Sequence, residues 1–419
     1  MGEDRLIKLL VEQGTIGRKK RRRIEEFEHL DPENGLTRVS GSTEDMEARK
    51  VVVAQMRDLG MDIRVDKVGN IFGHLGGLVN RGGIMIGSHI DSVIDGGMFD
   101  GNVGVFGALE AVRRLRDEDF QNIRPIDVAV YTGEEGSAFN YVLLGSSVLT
   151  GKLPIEDAYK LKDHEGKDLK TTLSNIGFRG DFTMDLRNVE YHLELHVEQG
   201  PVMENKKYDI GIVQNITGLT WMQCEITGFQ GHAGTTPMQM RKDSLVAASE
   251  VIQYINMRAK ELGSTTVGTV GEIHVEPNLP NVIPRKVLFS IDLRDVNESN
   301  RRQLESDILN KVQVIESKTG SKINIATLVA HGATPMNNEV MSIIKNASNE
   351  LRYRNMPINS GAVHDTQNLA SWVKTGMIFI PSKDGVSHAP LEWTDWNLVE
   401  KGVATLTKSI RSLSSKPIK

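Results

Sequence analysis

Two apolar runs leave this chain few choices of fold. GIMIGSHI (83–90) and IDVAVYTG (126–133) carry apolar residues at consecutive positions rather than alternate ones. That pattern suits strands covered on both faces, as in a parallel sheet. Between them NVGVFGALEAVRRLRD (102–117) has helical spacing, as does DMEARKVVVAQMRDLG (45–60), and IRVDKVGNIFGHL (63–75) reads as two strands about a turn. Strand–helix–strand order predicts an α/β domain with a mostly parallel sheet flanked by helices. In such sheets ligands gather at the carboxyl ends of the strands. GSHID (87–91) and TGEEGS (132–137) both follow apolar runs at that position.

Near Gln214 the character changes. Strand-like LTWMQCEITGF, TVGTVGEIHVEP, KVLFSIDLRD and KINIATLV alternate with two helical patterns, DSLVAASEVIQYINMRAKEL and ESNRRQLESDILNKVQVIESKTG. Such a set predicts an α+β sandwich with its own core. After about residue 331 the α/β character resumes with NNEVMSIIKNASNEL, MIFIPS and a closing helix. The expected organisation is a catalytic domain over 1–213 and 332–419, interrupted by an inserted domain over 214–331. A length of 419 residues accommodates two such domains.

A net charge of −5 argues against nucleic acid or an anionic membrane as partner. The run RKKRRR (18–23) is followed at once by IEEFEHLDPE and reads as a solvated helix face of mixed charge. The amino-terminal MGEDRLIKLLVEQG lacks the apolar core of a signal peptide, and no segment approaches a membrane span in length. The single cysteine, Cys224, excludes an internal disulfide and suits a reducing compartment. It reads as a small buried side chain, and the expected location is cytoplasmic.

Chemistry-bearing residues recur at strand ends. GSHIDSVIDGGMFDGNVGV (87–105) sets His89, Asp91 and Asp100 in a glycine-punctuated loop, and TGEEGS places Glu134 beside Glu135. Adjacent carboxylates at the end of a buried strand are costly unless solvated, paired or bound to metal. YHLELHVEQGP (191–201) alternates, with Tyr191, Leu193, Leu195 and Val197 on one face and His192, Glu194, His196 and Glu198 on the other. His192 reads as a solvent-face residue. SKDGVSHAP places His388 just after the strand MIFIPS.

GSHIDSVIDGGMFDGNVGV, TGEEGSAF, ELHVEQGPV, GHAGTTPM, NVIPRKVLFSIDLRD, SGAVHD and DGVSHAP resemble, in this order, the motifs of the M20 peptidase superfamily of dinuclear-metal amidohydrolases. The nearest branch contains N-carbamoyl-L-amino acid hydrolases, allantoate amidohydrolases and β-ureidopropionases. The resemblance runs from Ser40 to near the carboxyl end. It implies two divalent ions per subunit, Zn, Mn, Co or Ni, with His89, Asp100 and His196 on one, Asp100, Glu135 and His388 on the other, and Asp100 bridging. A histidine at position 196 points to the carbamoyl branch, where more distant peptidases carry a carboxylate. Two such ions lower the pKa of a shared water, Glu134 serves as general base, and Asp91 orients His89.

For the inserted domain the resemblance implies a dimerisation and lid role, with closure over the substrate. His232 then reaches the opposite subunit's site as an oxyanion donor. Asn281 and Arg294 hold the substrate carboxylate, and Gln199 and the backbone at Gly361 line the same pocket. Read without the resemblance, Asn281 is a turn residue and Arg294 an exposed strand charge. His364 lies near the site with no assigned role. Gly133, Gly231 and Val363 depart from the branch's usual residues, and none of the three is a metal ligand or the base.

The implied activity is hydrolysis of a linear C–N bond in an N-carbamoyl-L-amino acid, releasing amino acid, CO2 and ammonia. The partners are a small molecule bearing a carboxylate and a ureido or amide group, and a second copy of the chain. Allantoate or another small amide is the alternative substrate. A metal-binding homologue without turnover is the rival of another class, and Glu134 speaks against it.

Overall fold

The computed structural model describes residues 2–416. The chain divides into two units, Met1–Gln214 with Met336–Lys419, and Asn215–Pro335. The first begins with β1 (Asp62–Val65), β2 (Ile71–Leu75), β3 (Gly83–His89), β4 (Ile126–Tyr131), β5 (Val189–Val197) and β6 (Ile210–Ile216). The second supplies β7 (Gly218–Thr227), β8 (Gly231–His232), β9 (Val267–Thr269), β10 (Ile273–Glu276), β11 (Val282–Ile283), β12 (Lys286–Asp295), β13 (Lys322–His331) and β14 (Thr334–Pro335). The chain then returns to the first unit with β15 (Asn355–Ser360) and β16 (Lys374–Ile380).

The first unit's sheet has the order β1-β2-β4-β3-β5-β16-β6, with β15 also beside β6. β4, β3, β5 and β16 run parallel to one another, whereas β1 pairs antiparallel with β2, β2 with β4, and β6 with β16. The sheet is therefore mixed, with its parallel part at the centre. Every residue of β3 and β4 is buried. Ile84, Ile86, Val128 and Val130 face a core that includes Val52 and Met56 of the helix Thr43–Asp58, Phe106 and Leu109 of Asn102–Asp117, and Val403 and Ile410 of Trp396–Ser414. Met85, Ala129 and Tyr131 face a second, smaller core containing Leu369. Burial on both faces explains why these strands read as unbroken apolar runs.

Local signals set the helix ends. Ser42 caps Thr43–Asp58 by accepting from the Asp45 amide, and Asp45 returns the favour to the Gly41 amide at 2.8 Å, a reciprocal cap that stabilises by about 1 kcal/mol. The amino-terminal segment forms the helix Gly2–Gln13 and buries Leu6, Leu10 and Val11.

Two sequence expectations are corrected. RKKRRR is not helical. Arg18 is buried and donates to the Gly14 carbonyl, while Lys19–Arg23 are exposed and pair with Asp95, Asp31, Glu47 and Glu25. The mixed charge is present, but the run has no apolar stripe to hold a helix against the core. His192 is not on a solvent face. It is fully buried, within hydrogen-bond distance of Tyr131 Oη (2.9 Å) and Thr366 Oγ1 (3.1 Å), because the helix Asp365–Leu369 covers that face of β5.

The second unit is an antiparallel sheet in the order β10-β12-β7-β13, with β9 also on β12. Alternate residues of β12, Val287, Phe289, Ile291 and Leu293, pack with Ala248, Val251 and Ile255 of the helix Ser244–Leu262 and Leu304, Ile308 and Val312 of Glu298–Thr319. Cys224 lies in this core. β8 and β11 form a separate two-stranded ribbon.

Candidate metal centre

The carboxyl ends of the parallel strands converge. β3 ends on His89, β4 runs into the turn bearing Glu134 and Glu135, β5 carries His196, and β16 leads into the loop bearing His388. Asp100 joins them from the loop before the helix Asn102–Asp117. Its Oδ1 lies 3.5 Å from His89 Nε2 and 3.2 Å from His196 Nε2. Its Oδ2 lies 3.4 Å from His388 Nε2, which is also 3.4 Å from Glu135 Oε2. One carboxylate thus faces two separate donor sets, His89–Asp100–His196 and Asp100–Glu135–His388, each spaced to hold a metal ion.

The imidazoles are oriented as ligands require. His89 Nδ1 donates to the Asp91 carbonyl at 3.0 Å and His196 Nδ1 to the Val197 carbonyl at 2.9 Å. With that proton fixed, Nε2 of each ring carries the lone pair and lies beside Asp100, His196 Nε2 also accepting from the Gly101 amide at 3.1 Å. Gly101 makes the approach possible: its φ is +64° and a Cβ there would lie 2.4 Å from His89 Cε1. His388 (φ +54°) and Gln199 (φ +59°) both hold left-handed backbone, a conformation that non-glycine residues adopt at a cost and that clusters at functional sites.

Asp91 contacts both His89 and the turn that bears Glu134 and Glu135. Its carboxylate lies 3.8 Å from His89 Nδ1 and instead accepts from the backbone amides of Glu134 (3.2 Å) and Glu135 (3.3 Å). It touches His89 through its main-chain carbonyl and pins the Glu134–Glu135 turn with its side chain. Glu134 Oε2 lies 3.8 Å from His89 Nε2. Burial raises the Glu134 carboxyl well above the usual range, His89 opposes this, and the charge of Glu135 adds to it. Burial, with Asp100 behind it, pushes Glu135 up to about 7. Burial pulls the His388 imidazole down, but Asp100 and Glu135 outweigh it and bring it to about 9.

These residues fit divalent ions. The partners of Asp100 are imidazoles, the Gln199 amide (2.7 Å) and the Ser387 hydroxyl (2.9 Å), with no lysine or arginine among the described residues. Glu135 Oε1 and Gln199 Oε1 are buried and find no hydrogen-bond partner among them either. Three imidazoles with two carboxylates suit Zn, Mn, Co or Ni.

Gln199, expected as a pocket residue, donates to the same Asp100 oxygen that faces His388. His364 is buried, edge-on to the His196 ring at 4.6 Å, and within 2.8 Å of Ser360 Oγ. Gly361 follows β15 and is exposed. Three groups around the site, the buried Glu194 and Glu392 and the half-buried Ser387, escaped the sequence reading. Glu194 accepts from Ser88 Oγ and Thr366 Oγ1, both at 2.6 Å, and its place on the His196 face of β5 was the available signal. Ser387 and Glu392 flank His388, and nothing in SHAPLEW marks them as part of the site.

In the second unit His232 and Asn281 come together. Val282 pairs with His232 across β8 and β11, and the Ala233 amide donates to the Asn281 carbonyl at 3.1 Å. His232 Nδ1 accepts from the amides of Gly234 (3.0 Å) and Thr235 (3.2 Å), so the neutral ring carries its proton on Nε2. Arg294 lies on the half-exposed face of β12, its guanidinium paired with Asp292 at 2.9 Å.

Fold and cage together define a class, the two-unit hydrolase with an imidazole–carboxylate centre that is buried except at His388, whose side chain is 47% exposed. The chain belongs to peptidase family M20/M25/M40, whose model matches residues 85–412. It is 35% identical to an N-carbamoyl-L-amino acid amidohydrolase from Geobacillus stearothermophilus over 93% of each chain. It is 34% identical to an allantoate amidohydrolase from Bacillus subtilis, over 91% of this chain and 93% of that one. A crystal structure of an amidase of the hydantoinase/carbamoylase family from Burkholderia vietnamiensis superposes with a TM-score of 0.90 at 31% identity, covering 99% of this chain and 98% of that one. The chain is thus an amidohydrolase acting on C–N bonds. No helix among the described residues is long and apolar enough to cross a membrane.

Proposed function

We propose that the chain hydrolyses N-carbamoyl-L-amino acids to amino acid, CO2 and ammonia. The observation that carries this reading is the two-sided Asp100, with two imidazoles on one oxygen and a third on the other. His89, Asp100 and His196 would hold one divalent ion, and Asp100, Glu135 and His388 a second. Bound there, the pair supplies Lewis acidity and a water of lowered pKa. Glu134 would accept a proton from the water that adds to the ureido carbon and return it to the nitrogen that leaves as one C–N bond breaks; the carbamic acid so formed then loses CO2 and frees the second nitrogen. Asp91, by holding the Glu134 and Glu135 amides, fixes the turn that carries the base.

The inserted unit supplies recognition in this reading. The Arg294 fork exchanges Asp292 for the substrate carboxylate, with Asn281 beside it. His232 offers its Nε2–H to the developing oxyanion, and the ribbon that joins His232 to Asn281 supports their acting as one device. Gln199 and the Gly361 backbone complete the pocket. We further propose a two-fold dimer through the inserted unit, in which His232 serves the partner's site, and a cytoplasmic location suited to the lone Cys224. The Bacillus subtilis relative favours allantoate as the second substrate to test.

Protein reconstituted with Zn, Mn or Co is expected to release ammonia from N-carbamoyl-L-amino acids, and more slowly from allantoate and ureidopropionate. Faster turnover of allantoate would reverse the two substrates. No release from any of them with metal fully bound would overturn the proposal.

A further inference from the structure

We infer that Glu392 is a positioning residue that ties the Asp100 loop to the His388 loop and so sets the affinity of the ion between them; this rests on the dinuclear reading above. Its side chain is fully buried. Oε1 accepts from the backbone amides of Phe99 (2.8 Å) and Asp100 (3.0 Å), nearly 300 residues away in sequence. Oε2 lies 3.0 Å from Ser387 Oγ, and that hydroxyl is 2.9 Å from Asp100 Oδ2. One carboxylate therefore holds the main chain of the bridging residue and the neighbour of His388 at once. The loop is shaped to admit it: a Cβ at Gly97 would lie 2.2 Å from Glu392 Cδ.

Ordinary burial does not require this arrangement. A buried carboxylate is costly unless its acceptors are used, and Glu392 uses them on the two loops that converge on Asp100 Oδ2. The oxygen it steadies faces His388 and Glu135, whereas His89 and His196 are fixed by their own carbonyl contacts. Loss of Glu392 thus weakens the Asp100–Glu135–His388 ion more than its neighbour. Groups that orient metal ligands change metal affinity by about 10–100-fold when removed.

The test titrates the full-length protein with Zn against a competing chelator and counts the ions retained per chain, with thermal melts of the metal-free proteins run in parallel. Glu392→Ala is expected to bind one ion as the wild type does and the other about 10–100-fold more weakly. Glu392→Gln is expected to recover most of that loss, since its amide oxygen still accepts from Phe99 and Asp100 and its nitrogen can donate to Ser387. Gly97→Ala, which changes no polar group, is expected to mimic Glu392→Ala and carries the comparison should that variant not fold. Two ions bound at wild-type affinity by folded Glu392→Ala or Gly97→Ala overturn the inference alone. Equal weakening of both ions also overturns it, leaving only a general structural role. A wild-type chain that retains fewer than two ions overturns the dinuclear reading itself, and this inference with it.

Discussion

At the scale of single residues, the centre depends on side chains whose neighbours leave them few alternatives. Glu134 is buried beside Glu135, its backbone amide donates to the Asp91 carboxylate, and in the proposed mechanism its own carboxylate moves the proton. Glu134→Gln keeps the shape and removes the base. It is expected to bind metal as the wild type does while kcat falls by about 10²–10⁴-fold, read by ammonia release at matched metal content. Activity within tenfold of wild type would remove Glu134 from the mechanism. The five ligand candidates were named through the resemblance of the ordered motifs, while His, Asp and Glu after buried apolar strands marked the loops that carry them. Glu392 was not, because a lone acidic residue between Leu391 and Trp393 looks like any loop charge until residues 97–100 fold against it. Asp91 was legible as a site residue but not in its contacts, since sequence spacing does not say whether a side chain or a carbonyl meets His89.

At the scale of elements, period told more than composition. β3, β4 and β12 declared their burial through unbroken or strictly alternating apolar positions, and the long helices through their spacing and caps. β5 misled at His192, since alternation distinguishes two faces but not whether the polar one meets water or a helix. Ion pairs between elements were invisible in sequence. Glu339, at the start of the helix Asn338–Glu350, bonds Lys374 of β16 and Lys416 beyond the last helix, both at distances of 2.7–2.8 Å. Those two lysines hold its carboxyl down to about 2 from an ordinary 4.5. A carboxyl lowered on folding stabilises above its unfolded pKa, and the contribution fades as pH falls through the folded one. Glu339→Gln should therefore be less stable than the wild type at pH 6, and the gap in urea midpoint should close between pH 4.5 and pH 2. A gap that stays constant with pH would mean the carboxylate's charge contributes nothing.

At the scale of the molecule, the change of character near Gln214 separated two kinds of architecture in the sequence, and the contacts divide the chain at 214–215 and 335–336. Oligomeric state left no such mark, because a surface that meets a partner obeys the same alternation as one that meets water. The proposed shared site can be tested by mixing. Glu134→Gln and His232→Ala damage different parts of it, so each homodimer should be inactive. Exchanged subunits give half heterodimers, each with one intact site, and about a quarter of wild-type activity should return. No recovery after demonstrated exchange would place His232 in its own subunit's site or outside catalysis.

The position of β16 has a consequence for biosynthesis. It lies between β5 and β6 in the sheet, yet leaves the ribosome only after the entire inserted unit. Until residues 374–380 emerge, β5 and, near the start of β6, Gly211 and Ile212 lack their shared neighbour and expose hydrogen-bonding edges. A nascent chain is therefore most prone to mispairing and aggregation late in translation rather than early. His388 follows β16, so the Asp100–Glu135–His388 donor set is completed only at the end of synthesis, together with closure of the sheet.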